Sequence, residues 1–339
     1  MFTPKYKLST KLVSNISQIE RIYGQLEALK IPKSLEINLM RNNMLQSSYA
    51  SNKIEGNPLT LPEVTNLILD DRIPTNRSEK EVVNYFNLLK KLPDYKDKPF
   101  SLPLMLEIHK NLLDGIDKSA GTIRNSMVIV GKYKKEAGDV SLKVKHSPPF
   151  HKREKIKKAL LSLFDWVNLK NELQAVILAG IFHHHFVYIH PFEDGNGRVC
   201  RLLTALIFIK KGYLINRYFI LDDYYDIDRT QYSDMLHTAD SGDKTQWLEY
   251  FSEGMLHSLK SALFKYENAI KLLARENRPT PKEKEVLDFI EKNLEATSTE
   301  IAKELGVSRQ QAHNLLRSLV EKGILEKKGA TKSSYYYIK

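Results

Sequence analysis

The residues of this chain that are best suited to chemistry lie within twelve consecutive positions. They read His190-Pro191-Phe192-Glu193-Asp194-Gly195-Asn196-Gly197-Arg198-Val199-Cys200-Arg201. The segment combines an imidazole that can accept a proton near neutral pH, a carboxylate that can hold a divalent cation, a Gly-Asn-Gly run and two arginines. Guanidinium groups match phosphate oxygens with paired hydrogen bonds. This set of side chains therefore predicts a site that handles a nucleoside triphosphate.

The pattern around this segment places it between two buried helices. Apolar residues recur at helical spacing before it, from Leu173 to His184, and after it, from Val199 to Ile207. The Gly-Asn-Gly run then falls in the first turn of the second helix, where backbone N–H groups lack partners and the helix dipole attracts anions. Arg198 and Arg201 are three positions apart and are expected on one helical face. A turn with solvated charges would explain the separate pieces, but not their joint occurrence in helical phase.

The segment resembles the signature of the Fic family, H-x-F-x-[D/E]-G-N-G-R-x-x-R, at every specified position. The resemblance implies a mainly α fold, a helical bundle with a β-hairpin flap, and transfer of AMP from ATP to a protein hydroxyl. It implies that His190 is the general base acting on a Ser, Thr or Tyr of the target and that Asp194 holds Mg²⁺. The implied phosphate ligands are Gly195, Asn196, Gly197, Arg198 and Arg201. A related subgroup that phosphorylates carries lysine where Gly197 stands, so this chain fits nucleotidyl transfer.

A second motif, Ser51-Asn52-Lys53-Ile54-Glu55-Gly56, opposes the first. It resembles the Fic inhibitory motif, [S/T]-x-x-x-E-[G/N], whose specified positions are here Ser51, Glu55 and Gly56. The resemblance implies that Glu55 pairs with Arg201 and occupies the place that the γ-phosphate needs. As local structure alone, the same residues are a helix end with a glycine cap. Some family members use this glutamate to remove AMP, so a bifunctional enzyme is an alternative.

A β-hairpin is expected before the helices that flank the first motif. β-Branched residues recur between Gly121 and Val144, and the polar stretch from Gly131 to Asp139 divides them. The hairpin resembles the Fic flap, which docks the backbone of the target by strand addition beside the active site. An ordinary structural hairpin is the alternative.

Three further features of the sequence bear on the site. Tyr232 falls where many Fic proteins carry a tyrosine pair near the adenine, but Ser233 replaces the second tyrosine, so adenine stacking and core packing both stay open. Neighbouring histidines at 183–185 point in different directions on a helix and cannot share one metal ion, and His184 is expected in the core. Cys200 is expected to pack as a small apolar residue rather than act as a nucleophile.

The C-terminal segment resembles a winged helix-turn-helix domain. Capping boxes at Thr297 and Ser308 begin two helices, and two strands are expected after Gly323. From residue 309 to residue 339 there are seven Lys or Arg against two acids. The residues expected to meet DNA bases or phosphates are Arg309, Gln310 and His313. Contact with a protein, including dimerisation, is the alternative use of such a domain.

Composition sets the broad class of the protein. The 339 residues include 52 Lys and Arg against 41 Asp and Glu, a formal charge of +11 that permits an acidic partner such as ATP or nucleic acid. One cysteine argues against a disulfide framework, no apolar run reaches the length of a membrane span, and the first residues lack a signal region. We therefore expect a cytoplasmic protein without a membrane partner. The pattern G-x-x-x-x-G-K-[ST] does not occur, so a P-loop nucleotide site lacks its sequence motif here.

These features together predict a division into three parts and one function. Residues 1–95 are expected to form a helical region with the inhibitory motif, residues 96–276 the catalytic domain, and residues 281–339 the winged-helix domain. The predicted function is that of an autoinhibited protein adenylyltransferase, dependent on Mg²⁺ and ATP, that modifies a target protein or itself. The alternative is a DNA-binding regulator that uses the Fic domain as an ATP sensor or self-modifying switch. Because family members often dimerise, a homodimer is a further expected partner.

Overall fold

The computed structural model describes residues 2–136, 139–170, 172–215, 217–218, 220–276, 278–329 and 334–339. The chain forms two units, Met1–Lys265 and Tyr266–Lys339. The boundary between these units lies inside a long helix. The division expected from sequence at residues 277–280 stays a prediction. No helix among the described residues is long and apolar enough to cross a lipid bilayer.

α-Helices dominate the first unit, as the sequence predicts. They are α1 Thr10–Ala28, α2 Lys33–Ile54, α3 Leu61–Leu69, α4 Arg77–Lys91, α5 Leu102–Leu112, α6 Arg153–Leu169, α7 Ala175–Ile189, α8 Asn196–Lys210, α9 Asp222–Ile227, α10 Arg229–Thr238 and α11 Thr245–Glu276, the last of which continues past the unit boundary. Single 3-10 turns cover Leu92–Tyr95 and Ala239–Ser241. The mainly α fold class is therefore confirmed.

The helix that carries the second motif ends where the sequence predicts. α2 begins after Pro32 and ends at Ile54. Glu55 caps it, and Gly56 takes a left-handed conformation with φ of 92°, which glycine adopts without strain. α2 packs against α4 and α9. Glu55 is thereby held at the end of a packed helix.

Two helices inside this unit flank the twelve-residue segment. α7 is apolar around its circumference and is almost entirely buried, as expected of a helix inside a bundle. α8 packs along α7 and also buries most of its length. Gly180 of α7 permits the close approach of α11, because a Cβ at this position would lie 2.7 Å from Leu248 Cδ2. The loop between α7 and α8 is therefore anchored in the core at both ends.

The hairpin begins later in the chain than its β-branched residues suggest. Its strands are β1 Val130–Glu136 and β2 Asp139–His146, paired antiparallel. Residues 122–129 do not join a strand, and most of the polar stretch expected as the turn belongs to β1 instead. The reason is tertiary: Arg124 N donates a hydrogen bond to Pro191 O over 3.0 Å, which ties the segment before the hairpin to the loop between α7 and α8.

The second unit contains a winged-helix domain, as predicted. Beyond the end of α11 its elements are α12 Pro281–Asn293, β3 Ala296–Thr297, α13 Ser298–Glu304, α14 Arg309–Glu321, β4 Leu325–Lys328 and β5 Tyr335–Ile338. The capping boxes at Thr297 and Ser308 begin α13 and α14. The sequence predicts two strands, whereas the sheet has three in the order β3-β5-β4. β3 escapes prediction because two residues are too few for an alternating pattern.

Candidate active site

His190 occupies an unusual backbone conformation at the end of α7. Its φ of 51° and ψ of 65° lie in the left-handed region, which is uncommon outside glycine. The buried guanidinium of Arg124 holds this turn, because Nε donates to His190 O over 2.6 Å and Nη2 donates to Ile189 O over 3.2 Å. These bonds satisfy carbonyl groups that the end of a helix leaves without partners. The position of the imidazole is therefore set by a buried charged residue from another segment.

The surroundings of His190 keep its imidazole neutral. Burial, with smaller contributions from His146 and Arg124, lowers the pKa of His190 to about 4. A histidine with this pKa carries a free lone pair near neutral pH. The ring can therefore accept a proton from a bound hydroxyl group, which is the first requirement of a general base.

The loop between α7 and α8 is held by side chains on both of its faces. Asn196 Oδ1 accepts from Phe192 N over 2.9 Å, and Asn196 Nδ2 donates to Phe192 O over 2.8 Å. The ring of His109 stacks on that of Phe192 with 3.6 Å between centroids. His109 Nε2 also bonds Asp194 O over 3.1 Å. The protein core thus sets the shape of the loop.

The start of α8 forms an anion-binding turn beneath Glu55. Gly195 precedes the helix with φ of 79°, and Asn196 and Gly197 are its first residues. N–H groups in the first turn have no partner within the helix, and the helix dipole favours negative charge there. A Cβ at Gly197 would collide with the carboxylate of Glu55. The carboxylate therefore lies over the N-terminus of α8, where an anion is most favoured.

Arg201 is enclosed by the end of α2. Its Nη2 donates to Glu55 Oε1 over 2.8 Å and to Ser51 O over 2.9 Å, and its Nε donates to Ser51 Oγ over 2.7 Å. A second carboxylate, that of Asp222 in α9, lies 3.5 Å from Nε. The side chain of Arg201 is 3% exposed, whereas that of Glu55 is 37% exposed. The ion pair between Glu55 and Arg201 that the resemblance implies is present.

Asp194 and Arg198 form a second charged group on the loop. Asp194 Oδ1 accepts from Arg198 Nη2 over 3.1 Å, and Asp194 Oδ2 accepts from Arg77 Nη2 over 2.7 Å. Arg198 Nη1 lies 3.3 Å from Glu81 Oε1. Arg198 is buried against these carboxylates, whereas Arg201 faces the cavity described next. The side chain of Asp194 is 36% exposed, so a cation can reach it.

A cavity of about 410 Å³ joins the main groups of the site. It is lined by His190, Gly197, Arg201 and Glu55, and by residues of α10 and the start of β1. Small-molecule pockets in proteins commonly enclose about 300 to 1,000 Å³. The neutral imidazole, the start of α8 and the buried arginine therefore open onto one space of suitable size for a nucleotide.

Tyr232 borders the cavity while its hydroxyl belongs to the core. Its ring stacks on Tyr225 with 4.4 Å between centroids, and its hydroxyl bonds His183 Nε2 over 2.8 Å. The residue is only 6% exposed, and Ser233 also lines the cavity. Core packing of Tyr232 is thus observed, and its contact with a base stays a prediction.

The histidine in the apolar stripe and the single cysteine are core residues, as expected. His184 is buried, its Nε2 bonds Asp240 Oδ1 over 2.8 Å, and its Nδ1 accepts from Lys244 Nζ over 2.8 Å. Cys200 is fully buried, and burial raises the pKa of its thiol. A buried thiol with a raised pKa does not form the thiolate that a nucleophile requires.

Sequence reasoning missed three residues that shape the site. Arg124 holds the turn at His190, His109 stacks under the loop, and Asp222 pairs with Arg201. Each acts on a segment far from it in the chain, so periodicity and spacing carry no sign of the contact. The only available signal is a polar residue within a largely apolar stretch, which is too common to identify a site.

The second unit presents the three residues expected to contact DNA on one surface. Arg309 and Gln310 begin α14, His313 follows one turn later, and all three are exposed. With Lys327 of β4 and Tyr336 of β5 they line a cavity of about 350 Å³. Cationic and amide donors at the start of a helix suit phosphate groups and base edges.

Comparisons with protein families and sequences identify similar proteins for both units. Residues 99–208 match the model of the Fic/DOC family, and residues 279–332 match the model of the MarR family. Protein adenylyltransferase fic-1 of Caenorhabditis elegans is 30% identical over 276 residues, which cover 76% of this chain and 49% of that protein. Protein adenylyltransferase Fic of Aedes aegypti is 27% identical over 293 residues, which cover 80% and 54%. The chain thus spans about half the length of these relatives.

Two solved structures share the fold. A Fic family protein from Desulfovibrio desulfuricans G20 has a TM-score of 0.67 at 23% identity and covers 100% of this chain and 98% of its own. Fic-1 from Caenorhabditis elegans has a TM-score of 0.60 at 23% identity and covers 77% of this chain and 73% of its own. At this level of identity, the likeness establishes the fold alone.

Proposed function

Because residues 99–208 form a domain of the Fic/DOC family, we propose that this protein transfers AMP from ATP to a hydroxyl group of a protein. The observation that carries the proposal is the convergence of a neutral His190, the start of α8 and the buried Arg201 on one cavity. The relatives named protein adenylyltransferase support it, because they align with 76% and 80% of the chain.

In the proposed reaction, the target hydroxyl attacks the α-phosphorus of ATP. His190 accepts the hydroxyl proton while the new P–O bond forms, and the bond to the bridging oxygen of the β-phosphate breaks so that pyrophosphate leaves. The N–H groups at Gly195, Asn196 and Gly197 hold the phosphate oxygens, and Arg201 binds the terminal phosphate. Arg198, three residues earlier, contributes positive charge beside the loop.

Asp194 is the residue proposed to hold Mg²⁺. Its carboxylate directly precedes the anion-binding turn, and a single carboxylate beside phosphate oxygens is a common donor set for this ion. Its partial exposure and its place on a loop held by His109 and Asn196 fit that role. Bound Mg²⁺ supplies charge neutralisation at the phosphates. Arg77 and Arg198 both donate to the same carboxylate.

The proposal includes a resting state that Glu55 keeps inactive. Its carboxylate lies over Gly197 and pairs with Arg201, the two places that the terminal phosphates need. ATP can then bind only in a pose that does not expose the α-phosphorus to the target hydroxyl. Ser51 holds the same arginine through two bonds, and Gly56 ends the helix beside it. An alternative role for Glu55 is to position a water molecule that removes AMP.

Incubation of the protein with ATP labelled at either the α- or the γ-phosphate tests the reaction. Label in protein from α-labelled ATP alone supports AMP transfer. Label from γ-labelled ATP alone would make the protein a kinase and overturn the proposal. Absence of label from both, in wild type and in Glu55→Gly, would favour the sensor function. Loss of AMP from a pre-labelled target would favour the bifunctional enzyme.

DNA binding through the winged helix is a second candidate function. It rests on the exposed Arg309, Gln310 and His313 at the start of α14 and on the match to the MarR family. A gel shift with random duplex DNA at increasing salt tests it, because neutralised phosphates make affinity salt-dependent. Arg309→Ala should weaken binding, whereas Arg317→Ala, on the same helix and paired with Glu321, serves as the matched control. Equal affinity of the two variants for DNA would count against the start of α14 as the DNA-binding surface.

The proposal also covers the organisation and setting of the protein. Residues 1–95 would form the regulatory region, residues 96–276 the catalytic domain and residues 281–339 the winged-helix domain. The single buried cysteine is compatible with the reducing cytoplasm, where we place the protein. A homodimer is the oligomeric state that we test first, by light scattering of the full chain.

A further inference from the structure

A cluster of three side chains at the base of the hairpin lies outside the proposed reaction. His146 is the last residue of β2, His237 lies near the end of α10, and Asp240 lies in the 3-10 turn that follows. One donor atom from each lies within 4.8 Å of the other two. Asp240 Oδ2 is 2.9 Å from His146 Nδ1 and 3.0 Å from His237 Nδ1. Two imidazoles thus converge on one carboxylate oxygen.

Both ring nitrogens of His146 face hydrogen-bond acceptors. Its Nε2 lies 3.0 Å from Tyr188 O, which can only accept, and its Nδ1 faces the carboxylate of Asp240, which also only accepts when ionised. A neutral imidazole carries one proton and cannot satisfy both. A metal ion between Nδ1 and the carboxylate would leave the ring proton on Nε2 for Tyr188 O. The bond to Tyr188 O is also the contact by which a metal-binding histidine is commonly oriented.

Asp240 is oriented for ligation by a second row of side chains. Its Oδ1 bonds His184 Nε2 over 2.8 Å, and His184 Nδ1 accepts from Lys244 Nζ. Lys244 donates to Nδ1, so the proton of neutral His184 is on Nε2, and His184 donates to Asp240. His184 thus holds Oδ1, and Oδ2 is the carboxylate oxygen that faces both His146 and His237.

The surroundings are enclosed but leave one approach. The side chain of His146 is 3% exposed, that of His237 16% and that of Asp240 25%. His237 and Lys145 line the same cavity as His190. The charge of Lys145 is paired with Asp234, whose Oδ1 lies 3.1 Å from its Nζ. A small cation can therefore enter from the cavity without crossing the core.

We propose that His146, His237 and Asp240 form a binding site for a divalent transition metal, with Zn²⁺ as the ion that best suits two imidazole nitrogens and one carboxylate oxygen. Three protein ligands leave a fourth position of a tetrahedral site for water or another group. The ion would join the end of β2 to α10 and so fix the base of the hairpin beside the cavity. The site stands on its own geometry and does not depend on AMP transfer.

Metal binding by the full chain tests the site directly. The protein, freed of any affinity tag and treated with chelator, is titrated with Zn²⁺ by calorimetry and with Co²⁺ by visible absorption. One equivalent of Zn²⁺ and the intense d–d bands of four-coordinate Co²⁺ are expected. Absence of Zn²⁺ binding by the wild-type protein overturns the proposal.

Substitutions at the proposed ligands test where the ion binds. Changes in the outer partners of metal ligands already alter affinity about 10- to 100-fold, so His237→Ala and Asp240→Asn should each weaken Zn²⁺ binding by at least about tenfold. His151→Ala, at an exposed histidine that follows the hairpin in the chain, is the control and should bind as wild type. Circular dichroism establishes that each variant is folded. Equal affinity in all three variants would place the ion elsewhere and overturn the assignment.

Discussion

Glu55 Oε1 accepts a hydrogen bond from Arg201 Nη2 over 2.8 Å, across 146 positions of the chain. The same carboxylate lies over Gly197 at the N-terminus of α8. One acidic side chain thus occupies both the arginine and the helix end that an anionic substrate would use. Because Glu55 follows the last residue of α2, it can be replaced without interrupting the helix.

Replacement of Glu55 should activate the protein. A partly buried hydrogen bond between charged groups contributes about 1.5 to 3 kcal/mol, which corresponds to about 10- to 100-fold in a competing equilibrium. We therefore expect Glu55→Gly to raise incorporation of α-labelled AMP by that factor. Glu55→Ala should behave alike, which separates loss of the carboxylate from added backbone freedom. Glu291→Gln, at an exposed position, should leave incorporation unchanged. An unchanged rate in both Glu55 variants would refute the inhibitory role.

Replacement of His190 should remove transfer but keep nucleotide binding. A positioned general base contributes about 100- to 10,000-fold, so His190→Ala in the Glu55→Gly background should lower AMP incorporation by at least about 100-fold. Calorimetry should give an affinity for ATP close to that of the parent. Burial lowers the pKa of His190 to about 4, and the imidazole is neutral above that pH. The rate of the Glu55→Gly parent should therefore stay constant as the pH falls from neutrality and should decline only as the pH approaches 4. Substantial transfer by His190→Ala would disprove the assignment.

Arg77 should compete with the divalent cation for Asp194. Its Nη2 donates to Asp194 Oδ2, and its side chain is 59% exposed. Exposed ion pairs contribute about 0.2 to 1 kcal/mol, so Arg77→Gln should lower the Mg²⁺ concentration for half-maximal AMP transfer by up to about fivefold. Arg72→Gln, which removes a comparably exposed arginine paired with Glu79, should have no such effect. A higher Mg²⁺ requirement in Arg77→Gln would instead make Arg77 a ligand of the nucleotide.

His185 should make the first unit sensitive to acid. Its ring stacks on Phe2 with 3.9 Å between centroids, and burial, with Lys244 and His184, lowers its pKa from 6.5 to about 3. Below pH 6.5 the imidazole of His185 binds a proton in the unfolded chain but stays neutral in the folded chain. The free energy of unfolding therefore falls as the pH falls. The loss is up to about 1.4 kcal/mol per pH unit until the folded-state pKa is reached.

The matching variant is His185→Leu, which has no proton to gain. Urea titrations at neutral pH and at about pH 5 should show a smaller loss of unfolding free energy between the two conditions than in wild type, by up to about 2 kcal/mol. Identical pH dependence in the two proteins would mean that His185 is protonated in the folded state. Comparison at neutral pH measures any packing cost of the substitution separately.

Much of the local structure could be predicted from the sequence. The end of α2 at Ile54, the helices on either side of the loop and the capping boxes at Thr297 and Ser308 all follow from contacts within a few residues. The start of β1 could not be predicted, because the segment before Val130 is tied through Arg124 N to the loop between α7 and α8 rather than to a strand. Strand formation depends on a partner, and a single sequence does not identify that partner.

By itself, the sequence determined which chemical groups exist and which local turns present them. Helical period and the conformational freedom of glycine predict that His190, Asp194, Gly197 and Arg201 lie on one loop and the helix that follows it. Only the tertiary structure decided which distant groups act on them: the Arg124 guanidinium behind His190, for example, comes from a segment 66 positions earlier.

The same distinction separates two groups of histidines. Those at 183–185 are conspicuous in the sequence, yet helical geometry sends them to different partners. His146 and His237 are 91 positions apart and meet only because the end of β2 packs beside α10. Spacing along a chain encodes local hydrogen bonding and burial, whereas the meeting of charges from separate elements depends on how those elements pack. The metal site proposed for these two histidines and Asp240 could therefore be found only in the folded chain.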